Sequence, residues 1–406
     1  MRILIAGQNN NSSHNGQSVF TKNLAEGLVK QGHDVMLLLP SERKRAYREI
    51  VNGVHLATID SINLRFIHPE VYYPPYPFPA IAKAMRLFQP QLLHIQDHYP
   101  VSWFCYLAAR KRHIPVIGTN HFMPENLAPH AGLLAASKPL FNWIMWNWML
   151  LLYNRLDHVT APSKTALAIL RAQGLKVNGS PISCGLDLDH FCPASPSERR
   201  AIRQRYQLGM EKKIFLFVGR VDGEKRLDVA LHALSLLRRT DIQFAIAGIG
   251  TALDKLKKLS SQLGLEHQVK FLGFVPDEQL PSLLTSADIF IMPSEAELLS
   301  IATLEAMGCE KPILAARAGA LPELVTEGEN GYLFQAGNPT SAAHYMALLA
   351  DRPDQWERMG KASRKKAEPH HITNVIQAYQ NVYLNLLRNQ EQQHDTILKN
   401  KPAITN

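Results

Sequence analysis

The 406 residues carry a formal net charge of +9, with 46% apolar and 19% charged side chains. That balance excludes a disordered chain, and the length exceeds what one hydrophobic core supports, so two domains are the default. The charge is lopsided: residues 1–190 hold 18 Lys and Arg against 11 Asp and Glu, which favours lipid headgroups or phosphates as partners of that half. Nucleic acid is not expected, because no zinc-finger spacing or basic aromatic repeat occurs.

The N-terminal Met1-Arg-Ile-Leu-Ile-Ala-Gly7 reads as a buried first strand, not a leader. Further strands are expected at 34–39, 91–95, 115–119 and 157–160, and helices at 18–31, 80–88, 100–112, 135–153 and 163–172. This alternation predicts parallel strands with right-handed crossovers, a Rossmann-like sheet. Around Cys192-Pro-Ala-Ser-Pro-Ser-Glu198 the composition turns to Pro and Ser and reads as a linker, placing a boundary at 190/191.

A second run follows with strands at 213–218, 242–247, 268–271, 288–292 and 312–315. Its helices are expected at 225–238, 251–263, 278–285 and 298–308, giving a second doubly wound domain over 191–370. The stretch 371–388 is expected to pack back on the first domain, and the polar tail 389–406 to be disordered. No run reaches the ~20 apolar residues of a membrane span; the nearest, 139–153, is broken by Asn142 and Asn147. Four cysteines without Cys-x-x-Cys spacing point to a reducing cytosol and no structural metal.

Two stretches carry chemistry. In Val218-Gly-Arg-Val-Asp-Gly-Glu-Lys-Arg226, Gly219 turns the backbone after a strand, and Arg220 and Lys225 are placed to converge on an anion. Alone, this is also what a solvated basic helix start looks like. In Glu297-Leu-Leu-Ser-Ile-Ala-Thr-Leu-Glu305 the two carboxylates are just over two helical turns apart, near a helix N-terminus that attracts phosphate. An amphipathic helix with two solvated glutamates gives the same spacing.

Together with Ser183-Cys-Gly-Leu-Asp-Leu-Asp-His-Phe-Cys-Pro193, these motifs resemble glycosyltransferase family 4 in order and spacing over roughly residues 1–387. The resemblance implies the GT-B architecture, an α/β fold of two Rossmann-like doubly wound parallel-sheet domains facing each other across a cleft. It further implies a retaining transferase that uses a nucleotide sugar as substrate, with no cofactor, no metal and no assigned covalent nucleophile. By the same resemblance Arg220 and Lys225 bind the donor diphosphate, and Glu297 holds hydroxyls of the donor sugar. The amides of Leu299, Ser300 and Ile301 face the distal phosphate, and Glu305 takes the ribose. His121 lies over the sugar, Gly16 belongs to the glycine loop near the reacting centre, and Gly248 and Gly273 border the nucleotide. His121, Glu297, Arg220 and Lys225 form the implied catalytic set.

The chain departs from the pattern at Leu298 and Leu299, where the family has Gly, and at Asn15, Glu310 and Ala320. Asp187-Leu-Asp189 spells a metal motif of another architecture, but it falls inside the linker motif.

For the acceptor, Arg43-Lys-Arg-Ala-Tyr-Arg48 and Arg110-Lys-Arg-His113 are basic clusters suited to an anionic membrane. The segment 141–153 holds three tryptophans and reads either as an interfacial anchor or as a buried helix. The loop Thr119–Asn126 is similar to diacylglycerol glucosyltransferases. The leading expectation is a peripheral enzyme on the cytosolic face of a membrane, moving glucose from UDP-glucose to a diacylglycerol-type lipid. A soluble glycan acceptor and a non-catalytic nucleotide-sugar binder stay open, and the oligomeric state is undetermined. A nicotinamide oxidoreductase fails for want of Gly-x-Gly-x-x-Gly after the first strand.

Overall fold

The structure is a computed structural model that describes residues 1–8, 16–64, 72–124 and 138–399. Asn15, residues 135–137 and the end of the loop Thr119–Asn126 lie outside the described residues. The chain divides into two compact units, Met1–Cys184 with Ile372–Asn406, and Gly185–His371. The break therefore falls ahead of the 190/191 boundary read from composition.

In the first unit the strands are β1 (Arg2–Ala6), β2 (Asp34–Pro40), β3 (Arg48–Val51), β4 (Val54–Ile59), the short pair β5 (Ile62–Asn63) and β6 (Tyr72–Tyr73), β7 (Leu92–Ile95), β8 (Val116–Thr119), β9 (His158–Ala161) and β10 (Gly179–Pro181). The main sheet runs β10-β9-β8-β7-β1-β2-β4-β3. Every pair in it is parallel except β3 with β4. The chain starts mid-sheet, builds one side, then returns to build the other. The reversal lies between β1 and β7, where a doubly wound sheet opens a ligand crevice beyond its carboxyl ends.

Sequence reading missed the β3–β4 hairpin, although Asn52-Gly53 signals it: both residues have positive φ, 51° and 80°, as a two-residue turn requires. The hairpin also changes the view of the first basic cluster. The Arg43 guanidinium lies 3.8 Å over the Tyr47 ring and pairs with Glu42 at 3.7 Å and Glu49 at 3.4 Å, so part of that charge is answered internally.

The second unit holds β11 (Lys213–Val218), β12 (Ile242–Ala247), β13 (Val269–Gly273), β14 (Ile289–Met292), β15 (Ile313–Ala316) and β16 (Gly331–Phe334). They form one all-parallel sheet ordered β13-β12-β11-β14-β15-β16, with the reversal between β11 and β14. All six residues of β12 are buried, as expected where helices cover both faces.

Two expectations are corrected. The Pro- and Ser-rich stretch is a helix start, not a linker: Ser195 caps the helix Pro196–Arg205 in a capping box with Glu198. The C-terminal helix runs Ile372–Lys399, so residues 389–399 are helical where disorder was expected, and residues 400–406 lie outside the described residues. Its first half is anchored, so Gln, Glu, Leu and Lys beyond it add to an existing nucleus at little cost. The anchor is fully buried: Tyr383 Oη bonds His94 Nδ1 at 2.7 Å, and Tyr379 Oη lies 3.3 Å from Thr119 Oγ1 and 3.2 Å from Thr160 Oγ1. Gly27 permits the close approach, since a Cβ there would come within 1.9 Å of Ile376.

Candidate functional site

In the second unit the loops after β11 and β14 bring the candidate donor residues to one side of the sheet reversal. Lys225 ends the short turn Gly223–Lys225, and its Nζ donates to Glu297 Oε1 at 2.6 Å, with both side chains mostly buried. Arg220 does not join this pair. Its guanidinium is exposed and bridges Asp222 at 2.9 Å and Glu224 at 3.1 Å. Asp222 in turn accepts from Thr251 N and Oγ1, both at 2.8 Å, which ties the β11 loop to the β12 loop.

Glycine makes these approaches possible. Gly248 has φ +142°, and a Cβ there would lie 1.8 Å from Gly219 O; Gly248 N bonds Gly273 O at 2.7 Å. Gly319, at φ +53°, lets its backbone press on Glu297, whose carbonyl accepts from Ala320 N at 2.9 Å.

The helix expected from 298 begins at Ile301, so Glu297 sits in the preceding loop and not on the helix with Glu305. Ser300 caps it by accepting from Thr303 N at 3.3 Å. Among the described residues the amides of Leu299, Ser300 and Ile301 make no hydrogen bond, so this helix end presents free donors. Leu298 and Leu299, in the same loop, are buried. One helix turn further, burial and the nearby Asp277 push the Glu305 carboxyl up to about 7. Asp187 accepts from the amides of Asp189 and His190, each at 3.0 Å, and so closes a local turn.

In the first unit His121 follows β8. Its Nε2 meets Gln96 Oε1 at 3.1 Å and its ring centre lies 4.8 Å from that of Phe20. A carboxamide oxygen only accepts, so Nε2 carries the ring proton. Burial lowers the His121 pKa to about 3, leaving it neutral at pH 7.

Sequence reading missed the residues that fix this corner. Asp97 is buried and accepts from Gln8 N at 2.6 Å, Ser102 Oγ at 2.6 Å and Tyr99 N at 3.0 Å. Gln17, next to Gly16 at the helix start, donates to Gln96 O at 2.9 Å. His98 is fully buried, and among the described residues neither of its ring nitrogens has a hydrogen-bond partner. The available signal was Gln96-Asp-His98 directly after a buried strand, at the sheet reversal.

Comparison with known proteins gives the frame for these corners. Residues 14–190 match the model for Glycosyltransferase Family 4, and residues 198–366 match that for Glycosyl transferases group 1. The chain belongs to glycosyltransferase family 4. It is similar to D-inositol 3-phosphate glycosyltransferase of Streptomyces scabiei, 36% identical over 195 residues, 45% of this chain and 43% of that protein. It is also similar to the GDP-mannose-dependent alpha-(1-6)-phosphatidylinositol monomannoside mannosyltransferase of Mycolicibacterium smegmatis. That match is 33% identical over 189 residues, 44% of this chain and 49% of that protein. The matched stretch thus spans less than half the length of either relative. Among solved structures, Anabaena Alr3699/HepE in complex with UDP-glucose has a TM-score of 0.75 at 18% identity, covering 95% of this chain and 100% of that one. That likeness is one of fold, the GT-B fold.

The helix Lys138–Tyr153 is neither wholly buried nor wholly exposed. Trp146, Met149, Leu152 and Tyr153 face inward, while Trp143 and Trp148 face solvent, 63% and 45% exposed.

Proposed function

We propose that the protein transfers a hexose, glucose from UDP-glucose in the leading form, to a membrane lipid such as a diacylglycerol. The transfer retains anomeric configuration and uses no divalent metal. One observation carries the donor half: Lys225, Glu297 and the three unbonded amides of Leu299, Ser300 and Ile301 gather beside the β11/β14 reversal. Bond cleavage at the anomeric carbon leaves negative charge on the departing nucleoside diphosphate. Fixed cations and oriented amides stabilise such charge without reorganising.

In this reading Arg220 swings from Asp222 and Glu224 to the diphosphate, and Lys225 shares its proton donors between Glu297 and phosphate. Glu297 accepts from sugar hydroxyls and Glu305 from the ribose diol. The neutral His121 presents its ring to the sugar without adding charge. Gly16, Gly248 and Gly273 keep the backbone close to the ligand.

Support for a lipid acceptor comes from the basic first 190 residues and from the Mycolicibacterium relative, whose name carries phosphatidylinositol monomannoside. Support for UDP-glucose comes from the ligand named with the Anabaena structure. A second reading, transfer to a soluble phosphorylated polyol, is favoured by the Streptomyces relative and its acceptor.

The deciding experiment is a screen of nucleotide sugars with extracted membrane lipid and with soluble acceptors, read by mass spectrometry in the presence of EDTA. A new glycolipid supports the first reading; a new soluble glycoside alone replaces it with the second. Turnover that Glu297→Ala leaves at the wild-type rate, or that vanishes with EDTA, removes the proposed mechanism.

A further inference from the structure

Three helices of the first unit form a continuous outer layer: Phe78–Phe88, Pro100–Arg110 and Lys138–Tyr153. The rings of Phe78 and Phe104 lie 4.4 Å apart and join the first two; those of Trp103 and Trp148, 5.9 Å apart, join the second to the third. None of the three carries an Asp or Glu. On the third, Leu140, Trp143, Ile144, Trp148 and Leu151 are all exposed, and their spacing places them on one stripe. Phe78 and Leu107 extend exposed apolar surface onto the two neighbours. Beside it, Lys83, Arg86 and Arg112 line an open groove of about 630 Å³ that has no carboxylate in its wall. Next to Arg112, the Arg110 side chain stays half exposed while pairing with Asp157 at 3.5 Å.

We propose that this layer is the face by which the protein lies on an anionic lipid bilayer, with the Trp143–Trp148 stripe in the headgroup region and the Lys83, Arg86 and Arg112 groove on lipid phosphate. The reasoning is one of complementarity. A contiguous exposed apolar patch marks an interaction surface. Indole rings favour a boundary that is apolar at one end and wet at the other. A rim of cations without one carboxylate on the layer matches a surface of uniform negative charge, and each cation near such a membrane adds to binding. A second copy of this chain would bring its own cations against these. The inference deepens the lipid-acceptor reading and rests on it for its purpose.

The test uses the full chain with vesicles of phosphatidylcholine alone and of phosphatidylcholine with phosphatidylglycerol, at low and high salt. The protein is expected to float with the anionic vesicles only, less so at high salt, with a blue shift of tryptophan emission. Lys83→Gln/Arg86→Gln/Arg112→Gln should weaken partitioning by on the order of a hundredfold, from roughly tenfold or less for each cation. Trp143→Glu/Trp148→Glu should abolish the emission shift. These positions are exposed, so circular dichroism should be unchanged, and so should calorimetric binding of UDP-glucose in the second unit.

Equal flotation of wild type and both variants overturns the proposal. So does a dimer in sedimentation velocity that Trp143→Glu/Trp148→Glu converts to monomer, because the stripe is then a self-contact. Absent flotation with intact donor binding and transfer to a soluble acceptor sinks the docking face and the lipid acceptor but spares the transferase. Absent donor binding, with flotation intact, sinks the transferase and spares the face.

Discussion

The two corners at the sheet reversals solve opposite electrostatic problems. In the second unit the candidate site is built from charge: the Lys225–Glu297 pair, Arg220 held by two carboxylates, and Glu305 raised to about 7. Backbone contacts that only glycine tolerates fix its loops. In the first unit the corner around His121 is held by hydrogen bonds among buried groups, including the acidic Asp97. Burial lowers both His121 and His94 to about 3, and hydrogen bonds with Gln96, Tyr383 and Thr119, together with the Phe20 ring, set their positions. An anionic ligand needs charge that is already placed. A buried ring needs shape and hydrogen bonds, because an unpaired charge in that corner would be costly.

The contrast is tested hardest at Glu297. Glu297→Ala should lower kcat by about 10²–10³-fold, the loss typical of removing one fixed transition-state contact, while circular dichroism stays unchanged. A retained kcat would show that the charged corner is not the reacting one. Gly248→Ala should follow, because its Cβ would sit 1.8 Å from Gly219 O at a left-handed φ. A loss of about 3 kcal/mol, read as a fall in Tm, together with weaker donor binding is expected.

In the first unit, Tyr383→Phe leaves the buried His94 Nδ1 without its 2.7 Å partner. Chemical denaturation should report a loss of about 1–3 kcal/mol, with donor affinity untouched because Tyr383 belongs to the other unit. If donor affinity falls equally, the two corners are not independent.

A smaller effect lies in pH. If Glu305 takes the ribose as proposed, only its ionised form can accept from both hydroxyls, so UDP-sugar affinity should rise, by up to roughly tenfold for a shift of one unit, as pH passes about 7. Glu305→Gln should flatten that dependence. The sign for stability is reversed. A carboxyl raised from 4.5 to about 7 binds more protons folded than unfolded, so the free protein should lose stability as pH climbs through that window. The smallest effect is an absence: with its pKa lowered to about 3, His121 should add no limb to the rate profile between pH 5 and 8.

Much of the scaffold was legible. The strand holding Ile214 and the one holding Phe290 are apolar runs bounded by turns, and the parallel sheet follows from their alternation with helices. The hairpin at Asn52-Gly53 was readable too, by a turn rule, but its strands are short and mixed in polarity. The helix at Pro196 was hidden because Pro and Ser serve linkers and helix starts alike; only the Glu198 capping bond separates them. The corner around Asp97 was illegible because its partners, Gln8, Gln17 and Ser102, come from a loop and the starts of two different helices.

The sequence by itself determined the doubly wound units, the order of the phosphate-seeking motifs and the surplus of cations in the first half, since periodicity, glycine placement and charge are local properties of a chain. Only the tertiary structure decided that Lys225 meets Glu297 while Arg220 turns to Asp222 and Glu224, that His121 is neutral, and that the tryptophan helix shows one face to water. Pairing, desolvation and exposure depend on which distant residues share a neighbourhood, and chain folding alone creates those neighbourhoods.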